Sequence, residues 1–310
     1  MSTPINPRPF HVGELQAHQA AGFDTPGAPI RELMPDQHRQ FFSSLRFAML
    51  ATIDHDGWPV ATIATGPQGF IFSEDSQHLH FSASTRWQES FIPLLTEGQP
   101  LGMLGIEFSN RRRNRANGHV TAFDSDGLRV QIAQSFGNCP KYIQARDVTN
   151  EESDQLSFTS KSLTDLDDEA KLLISNADTF FVATSSGNQE MHGAGVDISH
   201  RGGRPGFIRI DGNTLTIPDF IGNRFFNTLG NMLVEPRAAL LFIDFATGDL
   251  LHLQGTTEVL WQSTETSGLA GAERLWRFHM TSGWRKSHAI PLQWTLREVA
   301  PTTTATGIWG

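Results

Sequence analysis

The chain contains one unit twice. Gly69-Phe70-Ile71 returns as Gly206-Phe207-Ile208, Gly105-Ile106-Glu107-Phe108 as Phe242-Ile243-Asp244-Phe245, and Asn117-Gly118 as Gln254-Gly255. The separation is 137 residues each time (207 less 70, 243 less 106, 255 less 118). A single offset kept from Gly69 to Gly118 means duplication of one structural unit. Wherever the copies differ in polar and charged residues, one of them has acquired or lost a task.

The unit itself reads as β. In the first copy, short runs suited to strands cover residues 47–53, 60–65, 70–73, 78–82, 101–108, 111–123 and 129–136, with turn signals at Asp56-Gly57, Gly98 and Asp126-Gly127. The second copy repeats the plan at 179–184, 193–198, 206–210, 214–217, 238–245 and 250–260, with a hairpin across 246–250. Helices are expected at 14–20, 36–45, 86–95, 165–176, 225–234 and 268–280, and a closing strand or arm at 290–299. Closing so many short strands into a small barrel removes exposed edges. The expected fold is mainly β with accessory helices. Residues 1–35 form an N-terminal arm, 36–146 a first unit with a degenerate site, and 147–168 an acidic linker. Residues 169–265 form the second, ligand-binding unit, and 266–310 a C-terminal helix and arm.

With 310 residues, each unit is large enough for its own core. A net charge of −9 argues against nucleic acid as the main partner, because phosphate backbones call for a basic surface. The single cysteine, Cys139, allows no intrachain disulfide and fits a reducing cytoplasm. The first ten residues carry three prolines and no apolar core, unlike a signal peptide, and no apolar run approaches the ~20 residues of a membrane span. A cytoplasmic protein without membrane attachment is the expectation.

One stretch of the second copy concentrates anion-binding chemistry. Arg204-Pro205-Gly206-Phe207-Ile208-Arg209 runs into a strand. Leu215-Thr216-Ile217-Pro218-Asp219 follows, and then Gly222-Asn223-Arg224-Phe225-Phe226-Asn227-Thr228 opens a helix. Arginine forks and the free amides of a helix start together make a phosphate cradle. The first copy has Pro67 opposite Arg204, and Arg86-Trp87 opposite Asn223-Arg224, so only the second cradle is complete.

These residues resemble the FMN-binding split barrel of pyridoxamine 5'-phosphate oxidase and its relatives, and the whole chain is similar to a two-unit branch of that family. The resemblance implies two tandem split β-barrels packed as a pseudo-dimer, with FMN as cofactor. It assigns Arg204 and Arg209 to the flavin phosphate, helped by Asn223, Arg224 and Asn227, and runs Ile217, Pro218 and Asp219 beside the ring. Glu235-Pro236-Arg237 resembles the family's Asn-Pro-Arg, with Glu235 departing from it. Family barrels hold a flavin between two units, so the first copy should contribute too. Counting back from Gly118 gives Arg113, and strand alternation places Arg111 and Arg115 on the same face. Positive charge there would stabilise the negative charge that reduction brings. The implied activity is FMN-dependent oxidoreduction of a small-molecule substrate, with a separate reductase as electron donor and a homodimer as the assembly.

Other motifs lead nowhere. His78-Leu79-His80 resembles a metal pair on a strand, but no Cys, Glu or His motif completes it, and Gly193-Ala194-Gly195 lacks the third glycine and the βαβ setting of a dinucleotide loop. Cys139 reads as a small buried side chain rather than a nucleophile, and Trp276, Trp284 and Trp294 as packing anchors, one of which could cap a flavin. The alternatives to an oxidoreductase are a non-catalytic flavin carrier or sensor, and a haem-binding split barrel using His200 or His252.

Overall fold

A computed structural model describes residues 9–24, 28–151, 159–187 and 192–309. Parts of the expected arm (1–8, 25–27) and linker (152–158) therefore lie outside the described residues. The first unit contains β1 (Phe47–Ile53), β2 (Pro59–Thr65), β3 (Ile71–Phe72), β4 (His78–Ser82), β5 (Pro100–Glu107), β6 (Arg112–Asp124) and β7 (Gly127–Gly137). Then come β8 (Ala145–Glu151) and β9 (Ser160–Leu163). The second unit contains β10 (Thr179–Ser185), β11 (Val196–Gly202), β12 (Arg209–Asp211), β13 (Thr214–Phe220), β14 (Arg237–Ile243), β15 (Leu250–Leu260) and β16 (Ala272–Lys286), and β17 (Leu292–Glu298) closes the strand list. The helices are α1 (Val12–Ala20), α2 (Asp36–Ser44), α3 (Asp168–Asn176), α4 (Asn227–Val234) and α5 (Pro301–Thr304).

The two sheets have one topology. Their strand orders are β2-β1-β5-β6-β7-β4-β3 and β11-β10-β14-β15-β16-β13-β12, the same permutation moved along the chain. The matching dipeptides have a structural cause. Pairing of β6 with β7 shifts between Asn117 and Gly118, and that of β15 with β16 between Gln254 and Gly255. At these bulges a Cβ on Gly118 would lie 1.9 Å from the Gln131 carbonyl oxygen, and one on Gly255 2.2 Å from that of His279. Only glycine fits either place.

Alternation sorts each central strand between two cores. On β1, Ala48 and Leu50 fill the first barrel while Phe47, Met49 and Ala51 face the other unit. On β10, Phe180 and Val182 fill the second barrel while Phe181 and Ala183 face back. β14 divides Leu240 and Phe242 from Leu241 and Ile243 in the same way. These strands are buried on both faces, which is why their sequences are continuous apolar runs rather than alternating ones. The shared third core holds the barrels together, each buried Leu, Ile or Phe contributing about 1.5–3 kcal/mol.

Two expected helices are absent. Residues 86–95 contain only a 3-10 turn, Ile92–Leu94. The expected 268–280 helix is mostly β16, which pairs with β13 on one side and β15 on the other. Its Ala, Glu, Arg and Leu favour helix locally, but Trp276, Phe278 and Met280 alternate inward, and burying that row in the barrel outweighs propensity. The second barrel thus continues past residue 265. The stretch read as linker also carries structure, since β8 pairs with β17 and β9 with β16.

The N-terminal helix is clamped on the second barrel. α1 and α4 touch backbone to backbone: a Cβ on Gly13 would lie 2.2 Å from the Gly230 carbonyl oxygen, and one on Gly230 2.6 Å from the Glu14 backbone. Gly230→Ala should therefore release α1, destabilising the protein by about 1–3 kcal/mol. Limited proteolysis should show early cleavage near residues 9–24. A variant as resistant as the wild type would refute this contact.

Candidate functional site

A cleft opens where the two barrels meet. From the first unit come Arg113 and Arg115 of β6 and the turn through Asn138, Cys139, Lys141 and Tyr142. The second unit gives Ser199, His200 and Arg201 of β11, Pro218 and Asp219 of β13, and Glu273 and Arg274 of β16. It also provides the first turn of α4 with the residues that lead into it. The cleft has a cavity volume of about 100 Å³.

Charge dominates this space. Six cationic side chains line it (Arg113, Arg115, Lys141, Arg201, Arg224 and Arg274) against the carboxylates of Asp219 and Glu273. Asp219 accepts from Arg201 Nη1 at 2.7 Å and Arg274 Nη1 at 2.6 Å. Glu273 accepts from Arg274 Nη2 at 3.1 Å and Arg224 Nη2 at 2.8 Å. Arg115 reaches across the barrel boundary, donating from Nη1 to Asp197 Oδ1 at 2.9 Å and from Nη2 to Ser199 Oγ at 2.7 Å. Among the described residues no carboxylate pairs with Arg113, and its Nε donates to the Cys139 carbonyl at 2.8 Å. Burial, the largest influence, lowers the Arg113 guanidinium to about 10, still cationic at neutral pH. Burial first, then the neighbouring arginines, holds His200 well below the ordinary histidine range, so its ring is neutral.

Polar atoms in this cleft are left without partners. Among the described residues, the Nε atoms of Arg115, Arg201 and Arg224, Asn138 Oδ1 and His200 Nε2 are buried and find no hydrogen-bond partner. Buried donors seldom go unsatisfied, and several in one hollow mark a place for a ligand or ordered water. The backbone is strained here as well. Tyr142, Arg224 and Phe226 all have left-handed backbones, at φ 64°, 59° and 59°. For non-glycine residues such conformations cost on the order of 1–3 kcal/mol each and gather at functional sites. Phe226 leads into α4 without any side-chain cap, and Asn227, Thr228 and Leu229 of the first turn line the cleft. A helix mouth, guanidinium forks and surplus positive charge fit an anionic group such as a phosphate.

Of the residues singled out in the sequence, Arg113, Pro218, Asp219, Asn223, Arg224 and Asn227 meet in this cleft. Four do not. Ile217 is fully buried in the second barrel's core. Arg111 precedes β6 in a left-handed turn (φ 61°), so strand alternation does not reach it, and it pairs with Glu298 at 3.0 Å. Arg204 is exposed beside Gln144, Pro205 and Thr303, away from the cleft. Arg209 pairs with Glu265 and lies 4.2 Å from the Trp309 ring centroid. The 204–209 segment is hydrogen-bonded to the chain's own C-terminal residues. Arg204 N–H donates to Thr306 Oγ1, and Trp309 donates from its backbone to Gly206 and from Nε1 to Phe207.

Among the three tryptophans, Trp276 and Trp294 are core residues and Trp284 stacks on His252 at 4.9 Å, so none caps the cleft. His252 donates from Nδ1 to Ala61 O, away from the cleft, and burial lowers it to about 3. Sequence reading missed Arg201 and Arg274. For Arg201 a signal existed: 137 residues earlier, Arg201 is Ala64 and Asp219 is Ser82. Among the described residues, no cluster of three His, Cys, Asp or Glu could hold a metal ion, and no helix is long and apolar enough to cross a membrane.

Two barrels of one topology, sharing a core and a cationic cleft, define a duplicated split-barrel protein. Residues 34–159 match the family model described as pyridoxamine 5'-phosphate oxidase, and over that part the chain is similar to that family. The match falls on the first unit, although the residues that carried the resemblance lie mainly in the second. HupZ of Group A Streptococcus is similar at 16% identity, over 36% of this chain and 86% of its own, with a TM-score of 0.29. A FAD-binding protein of Mesorhizobium loti is similar at 10% identity, over 42% of this chain and 98% of its own, with a TM-score of 0.31. At these scores neither bears on the ligand of this chain. Among curated proteins, none is similar enough to count as a match.

Proposed function

We propose that the cleft between the barrels binds FMN and that the chain is an FMN-dependent oxidoreductase acting on a small molecule. The observation that carries this reading is the excess of guanidinium groups, three with buried unpaired Nε atoms, around one hollow at a helix mouth. Arg201 and Arg224 would hold the phosphate, with Asn223, Asn227 and the α4 amides beside them. Arg113 and Arg115 would place fixed positive charge from the first unit, in a site already walled from bulk water on the barrel side, where such charge acts strongly. A bound flavin would supply hydride or electron transfer. The family match supports a flavin ligand, and the internal pseudo-dimer supports a site built by both units from one chain.

A second reading has one observation behind it. His200 lies in the cleft with a neutral ring and an unpaired Nε2, the form that ligates haem iron. The visible spectrum separates the two. Purified protein, or protein titrated with FMN, should show flavin bands near the wavelengths of the free cofactor, and the released compound should have the mass of FMN. A Soret band would favour haem instead. Protein that takes up neither compound would defeat both readings. Flavin that binds but never turns over with reductants and acceptors would make the protein a carrier or sensor.

A further inference from the structure

Behind the cleft lies a carboxyl group that the proposed ligand would not touch. Glu14 of α1 is only 3% exposed. Its Oε2 accepts the His11 backbone N–H at 2.8 Å, closing a capping box, and its Oε1 accepts from Asn227 Nδ2, whose residue lines the cleft. Four residues on, His18 donates from Nε2 to the carbonyl of Arg224 at 2.9 Å, holding a second cleft residue in its left-handed conformation. The α1–α4 backbone contact at Gly13 and Gly230 sets the Glu14 backbone directly against α4.

We infer that Glu14 is a positioning residue for the cleft, kept as a neutral carboxylic acid so that it orients Asn227 without cancelling the positive charge around the ligand. This rests on the reading of the cleft as an FMN site. The groups around Glu14 are few. They are His11 and His18 on α1, Arg115 on β6, Asp197 on β11 and Arg224 before α4, while α4 offers the neutral amides of Asn227 and Asn231. Asp197 already takes the Arg115 guanidinium together with the amides of Asn117 and Asn231. A charged Glu14 would be a second buried anion sharing that cation. Burial first, and Asp197 next, raise its carboxyl to about 8. Below that pH the cleft keeps its cationic surplus, and above it the new negative charge opposes an anionic ligand.

The test is FMN affinity by fluorescence quenching between pH 7 and pH 9.5, where a phosphate monoester stays dianionic because its second pKa is about 6. Wild-type affinity should fall about 5- to 20-fold across that range. Glu14→Gln, which keeps the shape and, with its oxygen turned to Asn227, that acceptor without charge while giving up the His11 N–H bond, should hold its pH 7 affinity throughout. Glu14→Ala should bind weakly at every pH, since Asn227 loses its partner. A flat wild-type profile, or an equal fall in Glu14→Gln, would overturn the inference.

Thermal melting without ligand gives a second readout. A carboxyl raised from 4.5 to about 8 on folding contributes stability that is full below 4.5 and lost as pH rises to about 8. The Tm of Glu14→Gln should therefore gain on wild type between pH 4.5 and 8, and the gap should then level. A constant gap would also sink the inference. Failure to bind FMN at any pH would instead defeat the FMN reading, and the melting gap would then decide Glu14 alone.

Discussion

Replacing Arg224 with alanine is expected to weaken FMN binding about 10- to 100-fold, while Arg209→Ala leaves it within about twofold. A hydrogen bond to a charged group is worth about 1.5–3 kcal/mol, and each 1.4 kcal/mol is tenfold in affinity. Arg224 lies at the mouth of α4 with an unpaired Nε in the cleft, and its Nη2 is steadied by Glu273. Arg209 does not line the cleft, and its guanidinium pairs with Glu265 and lies over Trp309. By family resemblance alone Arg209 would be the phosphate anchor. Isothermal titration of both variants settles the order. Equal losses, or a larger loss for Arg209→Ala, would return the phosphate to the 204–209 segment and require the C-terminal residues to leave it.

The contrast between those two arginines shows what a sequence can and cannot carry. The duplication was legible because it rests on positions where backbone geometry admits one residue type, as at Gly118 and Gly255. The central strands were legible because burial on both faces leaves continuous apolar runs. β16 was not, although its alternating Trp276, Phe278 and Met280 carried the signal, because its other residues favour helix. The cleft was half legible. Arg113, Asn223, Arg224 and Asn227, singled out from a helix start and a strand, do line one cleft. Arg201 and Arg274 were not singled out, because their value comes from neighbours brought together by pairing of β13 with β16 and by closure of the barrel. Arg204 and Arg209 lie outside the cleft, and nothing in the sequence says that Thr306 bonds the Arg204 backbone or that Trp309 packs against Arg209.

The chain also provides its own control for the ion pair that joins the barrels. Arg115 and Asp197 are both buried, at 4% and 7% exposure, and bridge β6 to β11. Their counterparts 137 residues away are His252 and Val60, so the other half of the same architecture stands without that pair. Arg115→His alone should cost about 3–5 kcal/mol, because it leaves the Asp197 carboxylate buried with amides but no cation. Asp197→Val alone should cost a similar amount, stranding the guanidinium. The double variant copies the second copy's pair and should recover most of the loss, with a coupling of about 2–3 kcal/mol in urea unfolding. Costs that simply add would show that the two residues do not act as a unit. The more telling comparison is with FMN. If the pair served stability, the double variant would be as good as the wild type in both measurements. The unpaired Arg115 Nε in the cleft gives a different expectation: folding is restored, and flavin affinity stays at least about tenfold down. On the proposed reading, charge at this boundary and its absence from the twin position follow from an anion bound on this side alone.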